Sequence, residues 1–179
     1  RRVDMELGGK TLYHGTMHEF TEIDLSKCDN KFRDFGRGFY LTSEFQQAQS
    51  WAAHKSELSA SKARVYRYKL DEEIPDHLKL YEFLEYDEKW LQCIVDNRRH
   101  GTSIVDDGDI VYDRMADSFS GQITAAIKKY EKAVFDASQT IEVLRKGRKK
   151  RDQFCFKTVG AVSLLQPQGY YIIGEGWHE

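Results

Sequence analysis

The chain has 179 residues and 20.9 kDa, with 40% apolar and 13% aromatic side chains, enough to bury a core and too many for a disordered chain. Two prolines exclude a Pro-rich or collagen-like chain. A net charge of −2 and a pI near 6.3 exclude a globally basic nucleic-acid binder, so any basic surface must be local.

The length favours one domain over residues 1–179, with a patterned core of about 10–173 and residues 1–9 as an added or flexible leader. The opening Arg1-Arg2-Val3-Asp4-Met5 lacks a hydrophobic signal core. Met5 reads either as a native start or as an interior residue of a longer chain. No apolar run reaches the ~20 residues of a membrane span, so no membrane partner is expected. Cys28, Cys93 and Cys155 make no CxxC pair and no Cys/His cluster. That argues against a disulfide framework and a zinc site and fits a reducing compartment, with one disulfide left open; no metal is expected.

In chain order, Lys10–Thr16 is a short β-like run ending near a glycine, followed by a charged loop. Gly36 and Gly38 make a turn into a strand through Phe39-Tyr40-Leu41-Thr42. Ser43, with Gln46 three residues on, is the expected capping box of a helix over 44–56, whose 3.6-residue spacing puts Ala48, Trp51, Ala52 and Lys55 on one side. Arg64–Leu70 alternates strictly, Val65, Arg67 and Lys69 against Tyr66, Tyr68 and Leu70. A mixed stretch around Pro75 leads to a helix near 87–99, ended by Gly101. Ile123, Ile127, Tyr130, Val134, Ala137, Ile141 and Leu144 predict helix over 121–146, split at Asp136 or Ser138. Strands are expected at Gln153–Thr158 and Tyr170–Ile173, either side of Pro167. Short strands scattered among helices without a βαβ rhythm predict an α+β fold.

Several standard motifs are absent. There is no phosphate loop, no G-x-S-x-G and no H-E-x-x-H, and Gly36-Arg37-Gly38 lacks the third glycine and the helix of a dinucleotide fingerprint. What stands out is a trio in order: His14-Gly15-Thr16 at a strand end, Gly36-Arg37-Gly38-Phe39-Tyr40 entering a second strand, and Arg151-Asp152-Gln153-Phe154 opening a late one. The trio resembles the ADP-ribosyltransferase superfamily of the diphtheria-toxin and poly(ADP-ribose) polymerase type. The run DFGRGFYLTSEFQQAQSWA is similar to a bacterial family of this kind often encoded in toxin–antitoxin pairs. The resemblance touches most of residues 11–165, is strongest at 12–16 and 34–52, and is thin across 71–110.

The resemblance implies two small packed β-sheets with flanking helices around an NAD⁺ cleft, with NAD⁺ as substrate. It implies that His14 bonds the ribose 2′-OH, that Gly15 offers its backbone to the nicotinamide carboxamide, and that Tyr40 and Trp51 stack on the nicotinamide. It places Thr16 and Gly38 in the binding site and Gln153 where polymerases carry the catalytic glutamate. Ala48 stands where some relatives have a serine bonding the carboxamide. The implied catalytic set is therefore His14, Tyr40 and Gln153. It further implies a bacterial toxin or effector, cytoplasmic or delivered into a target cell, with a cognate antitoxin as one partner.

The chemistry fits these residue types. Nicotinamide in NAD⁺ is a pyridinium cation, and a desolvated cation on an aromatic face gains about 2 kcal/mol. Cleavage of the glycosidic bond builds an oxocarbenium-like cation. A carboxylate would stabilise it by charge, whereas the Gln153 amide offers a dipole and hydrogen bonds, which favours transfer of one ADP-ribose over chain elongation. Three functions stay open on the sequence: mono-ADP-ribosyltransferase, NAD⁺ glycohydrolase, and a non-catalytic module binding ADP-ribose or NAD⁺.

Two charged segments complete the reading. Arg145, Lys146, Arg148, Lys149, Lys150 and Arg151 form a basic run that reads equally as a solvated helix end and as a contact for an anionic macromolecular acceptor, nucleic acid or protein. Asp109–Asp117 either faces the acceptor or caps a helix beginning near Ser118, capping being the simpler expectation.

Overall fold

The computed structural model describes residues 7–56, 62–114, 121–145 and 152–179. Two four-stranded sheets carry the fold. In the first, β1 (Thr11–Thr16) pairs antiparallel with β3 (Arg64–Leu70), β3 with β7 (Leu165–Ile172), and β7 with β8 (Gly176–His178). The second runs in the order β2 (Phe39–Leu41), β6 (Asp152–Phe156), β5 (Ile110–Arg114), β4 (Leu80–Phe83). Its β4 and β5 are parallel, joined through α2 (Glu88–His100), while β2–β6 and β5–β6 are antiparallel. The architecture is α+β with two small sheets, as the scattered strands predict, although the mixed stretch after Pro75 conceals a β-α-β unit.

Side-chain alternation sorts the layers. Leu12, Phe39, Leu41, Tyr68, Phe154 and Phe156 meet between the sheets. On the far side of the second sheet, Tyr40, Phe83, Val111 and Cys155 pack under α2, α3 (Gly121–Glu131) and α4 (Ala137–Arg145), around fully buried Trp90 and Ile94. On the far side of the first, Val65 meets Ala48 and Ala52 of α1 (Phe45–Ser56), with Tyr13 and Tyr171 packed alongside. The sequence of layers is thus α1, sheet, sheet, α2–α4. The alternation of β3 holds: Tyr66, Tyr68 and Leu70 face the second sheet while Val65 faces α1.

Local signals explain most helix ends. Asp87 caps α2 by accepting the Trp90 N–H at 2.8 Å, and Gly101 ends it at φ 70°, donating to the carbonyls of Asp96 and Asn97. The expected break between α3 and α4 falls over 132–136. There Asp136 and Gln139 exchange side-chain-to-backbone bonds at 2.8 and 2.9 Å as a reciprocal cap.

Two expectations are corrected. Ser43 does not cap α1: its hydroxyl donates to the Asp152 carboxylate, and Thr42 Oγ1 takes the Glu44 N–H at 3.1 Å instead. The bond to the Asp152 carboxylate holds the Ser43 hydroxyl toward β6. Pro167 lies inside β7 rather than between two strands; it sits opposite Tyr68, next to the register shift of β3–β7, where a missing N–H is tolerated. The helix start expected near Ser118, and with it any cap from Asp109–Asp117, lies outside the described residues; Asp109 itself is engaged elsewhere. Its carboxylate accepts from the Lys79 N–H at 2.7 Å and the Thr158 hydroxyl at 2.6 Å, fixing the entry to β5. Residues 115–120 lie outside the described residues.

At Gly15 β1 lies so near α1 that a Cβ would collide with the Ala48 carbonyl. Gly15 is not a positive-φ residue, so only sterics exclude a side chain there. Gly15→Ala should force α1 away from β1 and cost about 1–3 kcal/mol in urea unfolding. Gly160→Ala, at an exposed site with only Leu78 in ordinary contact, should change stability by less than about 0.5 kcal/mol.

Candidate functional site

One corner joins the strands that carry the three resemblance motifs. Tyr13 of β1 and Thr42, just past β2, exchange both backbone hydrogen bonds, at 2.8 and 2.9 Å, and so link the two sheets. Asp152, the first residue of β6, closes the corner. Its carboxylate takes the Thr42 hydroxyl at 2.9 Å, the Ser43 N–H at 2.9 Å and the Ser43 hydroxyl, while its carbonyl takes the Gln47 amide at 3.0 Å. His14 follows Tyr13, Tyr40 precedes Thr42 by two, and Gln153 follows Asp152.

His14 is fixed across the corner. Its Nδ1 donates to the Tyr40 carbonyl at 2.6 Å, and because a carbonyl only accepts, Nδ1 carries the proton. In the neutral ring Nε2 is then the acceptor nitrogen. The ring stacks on Phe39 with centroids 4.1 Å apart and meets Phe20 edge-on at 6.0 Å. Phe20 is itself pinned, stacked on Tyr66 at 4.1 Å, with its N–H donating to the Tyr66 hydroxyl at 3.0 Å.

A cleft of about 570 Å³ opens here, within the usual range for small-molecule sites. His14, Thr16, Gly38, Phe39 and Tyr40 form one wall, and the loop over residues 17–33 forms the other. Glu19, Glu22, Asp24 and Asp29 give that loop wall four carboxylates against the cations of Lys27 and Arg33. Gly38 adopts φ 155°, and a Cβ there would strike Cys155 Sγ and approach the Phe156 carbonyl, so the glycine lets the turn lie flat on β6.

The remaining predicted residues stand elsewhere. The Tyr40 side chain points into the helix-side core, 7% exposed; its hydroxyl accepts from the Phe35 N–H at 3.0 Å and donates to the Gly36 carbonyl at 2.7 Å. Burial pushes that phenol far above its ordinary pKa. The Arg33 guanidinium sits 5.4 Å from the ring centroid. Gln153, 5% exposed, donates from Nε2 to Asp34 at 3.0 Å. Gly15 lies under α1, and Trp51 is half-buried on α1; neither is in the cleft wall, nor is Gln153. The structure thus gathers His14, Thr16, Gly38 and Tyr40 at the cleft and sets Gly15, Trp51 and Gln153 around it.

Sequence reasoning missed Asp34, Arg98 and Arg33. Asp34 is buried, pairs with Arg98 at 2.5 Å, and is distant in sequence from both Arg98 and Gln153, so no local spacing could reveal it. Of the basic run only Arg145 is described, at the exposed end of α4; residues 146–151 lie outside the described residues.

Thiol chemistry is disfavoured. All three cysteines are free, and burial pushes the Cys93 and Cys155 thiols up to about 12, leaving almost no thiolate at neutral pH. Cys28, at the cleft, is also shifted up by burial. Among the described residues, no three His, Cys, Asp or Glu side chains group to hold a metal ion, and no helix is long and apolar enough to cross a membrane.

Comparison with curated proteins finds no match to the chain. Comparison with protein families finds one over residues 10–166, a stretch that includes His14, Tyr40, Asp152 and Gln153. The chain belongs to that family, described as "Protein of unknown function (DUF3990)".

Proposed function

We propose that the chain is an NAD⁺-dependent mono-ADP-ribosyltransferase with an ADP-ribosyltransferase-like fold, and that its donor lies in the cleft at the β1–β2 corner. The observation that carries this reading is His14: an imidazole locked through Nδ1 in a cleft wall, with Nε2 as the acceptor nitrogen. With the ring neutral, that nitrogen is the acceptor a ribose hydroxyl needs. In this reading the bond from C1′ to the nicotinamide nitrogen breaks, and its electrons leave with neutral nicotinamide. The acceptor nucleophile then attacks C1′ and loses its proton. His14 orients the ribose, while Gln153, which the resemblance sets opposite the developing positive charge, stands outside the cleft wall and would have to turn toward the donor. The Arg33 guanidinium over Tyr40 supports a face able to hold a cation, which the pyridinium would take over.

One observation favours a second reading. Gln153 carries no charge and is almost enclosed, as in a module that binds the dinucleotide without cleaving it. Incubation of the protein and a lysate with labelled NAD⁺ separates the readings. Label on a macromolecule supports transfer, free ADP-ribose with nicotinamide means hydrolysis, and intact NAD⁺ with saturable binding means a module. Neither turnover nor binding overturns both.

His14→Ala should reduce nicotinamide release by at least about 100-fold, since a positioned hydrogen bond at the reacting sugar is lost. Its unfolding midpoint in urea should stay close to that of the parent. Trp51, half-buried on α1 and outside the cleft wall, separates the resemblance from the geometry: Trp51→Ala should leave NAD⁺ affinity within about threefold of the parent, measured by calorimetric titration. Tyr40→Phe should behave differently: it strips a buried bridge between Phe35 and Gly36 and should cost about 1–3 kcal/mol of stability in urea melts.

A further inference from the structure

Residues 28–38 form a closed loop on the rim of the cleft. The Gly38 N–H donates to the Cys28 carbonyl at 3.2 Å and draws the two ends together, as in an Ω-loop. Just inside that closure, Arg37 Nε donates to the Asp29 carbonyl at 3.1 Å. The base of the loop is rigid. Phe35 is fully buried and stacked on Phe83 at 6.0 Å, Asp34 is paired with Arg98, and the Asp34 carbonyl takes the Asn97 amide at 2.9 Å.

The outer part of the loop carries charge and one bare ring. Lys31, Arg33 and Arg37 are exposed, and none of them pairs with a carboxylate among the described residues. With Asp34 neutralised by Arg98, Asp29 is the one other carboxylate between 28 and 38, and it lines the cleft. Phe32 stands between two of the cations and is 52% exposed, the only phenylalanine among the described residues left so open. Its ring stacks on no other ring there and meets Lys31 Nζ at 5.2 Å. The Phe32 N–H donates to Asn30 Oδ1 at 3.0 Å, which holds the tip in place.

The combination selects a partner. Cations alone suit any polyanion, and a bare ring alone suits any apolar surface. A single strand offers both phosphates and the open faces of its bases, and a base stacked on an aromatic side chain needs no particular sequence. A duplex hides those faces, and an acidic peptide has none.

We propose that this loop is a docking surface for a single-stranded nucleic acid, which lays a base on Phe32 and its phosphates along Lys31, Arg33 and Arg37. Asn30 and Arg33 also line the cleft, so the strand passes its mouth. The carboxylates of Glu19, Glu22 and Asp24 deeper along the loop wall repel further phosphates and keep the strand on the rim. On the transferase reading, on which this step rests, the strand is the acceptor. A base nitrogen then forms the bond to C1′ and gives up its proton to water, while nicotinamide leaves with the electrons of the broken bond.

Fluorescence anisotropy without NAD⁺ tests the docking, with labelled oligothymidylate and oligouridylate of about 12 nucleotides as probes. The tighter of the two identifies the sugar. Three phosphate contacts give a slope of about −2 in log K against log salt, so affinity should fall roughly 20-fold between about 50 and about 200 mM salt. In Lys31→Gln/Arg37→Gln the fall should shrink to about threefold. Phe32→Ala should weaken binding at least about fivefold at fixed salt and leave the slope unchanged. These three side chains are exposed and outside the cleft lining, so unfolding midpoints and acceptor-free nicotinamide release should stay parent-like.

Parent-like binding by folded Phe32→Ala overturns the inference. So does a duplex, or a polyglutamate peptide of equal charge, that binds as tightly as the strand. A parent that releases nicotinamide but binds no strand overturns the docking and leaves the transferase reading intact. A parent that binds the strand but releases no nicotinamide overturns the transferase reading and leaves the docking. With labelled NAD⁺, label should appear on the bound strand, and a bound strand left unlabelled while nicotinamide is released overturns its role as acceptor.

Discussion

Everything at this site hangs on the corner where Tyr13 and Thr42 trade backbone hydrogen bonds under the Asp152 carboxylate. Two small sheets packed face to face can slide, because the apolar surface between them has no preferred register. Directional bonds at one corner remove that freedom. A carboxylate that collects two hydroxyls and an N–H forms stronger bonds than neutral partners would. Each of the three strands therefore leaves the corner in a set direction, and each carries a proposed site residue within two positions of it. Loss of Asp152 would leave those donors unpaired and the sheets free to drift.

The cleft that results is stiff on one side and charged on the other. The stack of His14 on Phe39 fills the stiff side with rings of few rotamers, and Phe20 of the loop wall is pinned by its stack on Tyr66. On the loop side, carboxylates outnumber cations, with Arg33 drawn over the Tyr40 ring. An anionic dinucleotide entering here relies on the cations and the ring faces, and the carboxylates repel phosphate wherever they are not shielded. The loop wall thus discriminates among ligands by where it tolerates negative charge.

Much of this was legible in the sequence because the signals are local. The alternation of Arg64–Leu70 and the Gly101 stop each lie within one element, and the structure reproduces them, whereas the 3.6-residue spacing of 121–146 runs across α3 and α4 with Val134 exposed in the break between them. The fate of Ser43 and Asp109 was hidden because their partners are remote: Asp152 lies 109 residues from Ser43, and Thr158 lies 49 from Asp109. Strand β4 was invisible because it is short and only half-buried along most of its length, with no alternation to read. At the site, the residue types of His14 and Tyr40 were readable, but the side of the sheet that Tyr40 faces was not. Asp34 could be found only from tertiary structure.

The distance along the chain between Thr42 and Asp152 has a consequence for timing. These partners are 110 residues apart, so at about 5–20 residues per second a ribosome needs roughly 5–20 s to deliver one after the other. The β4–α2–β5 unit can close early from nearby segments, but the corner cannot. During that interval Phe39 and Leu41 have no β6 to cover them and present a sticky edge to chaperones or to other nascent chains. Whatever chemistry the cleft performs is withheld from the nascent protein until its sixth strand has emerged.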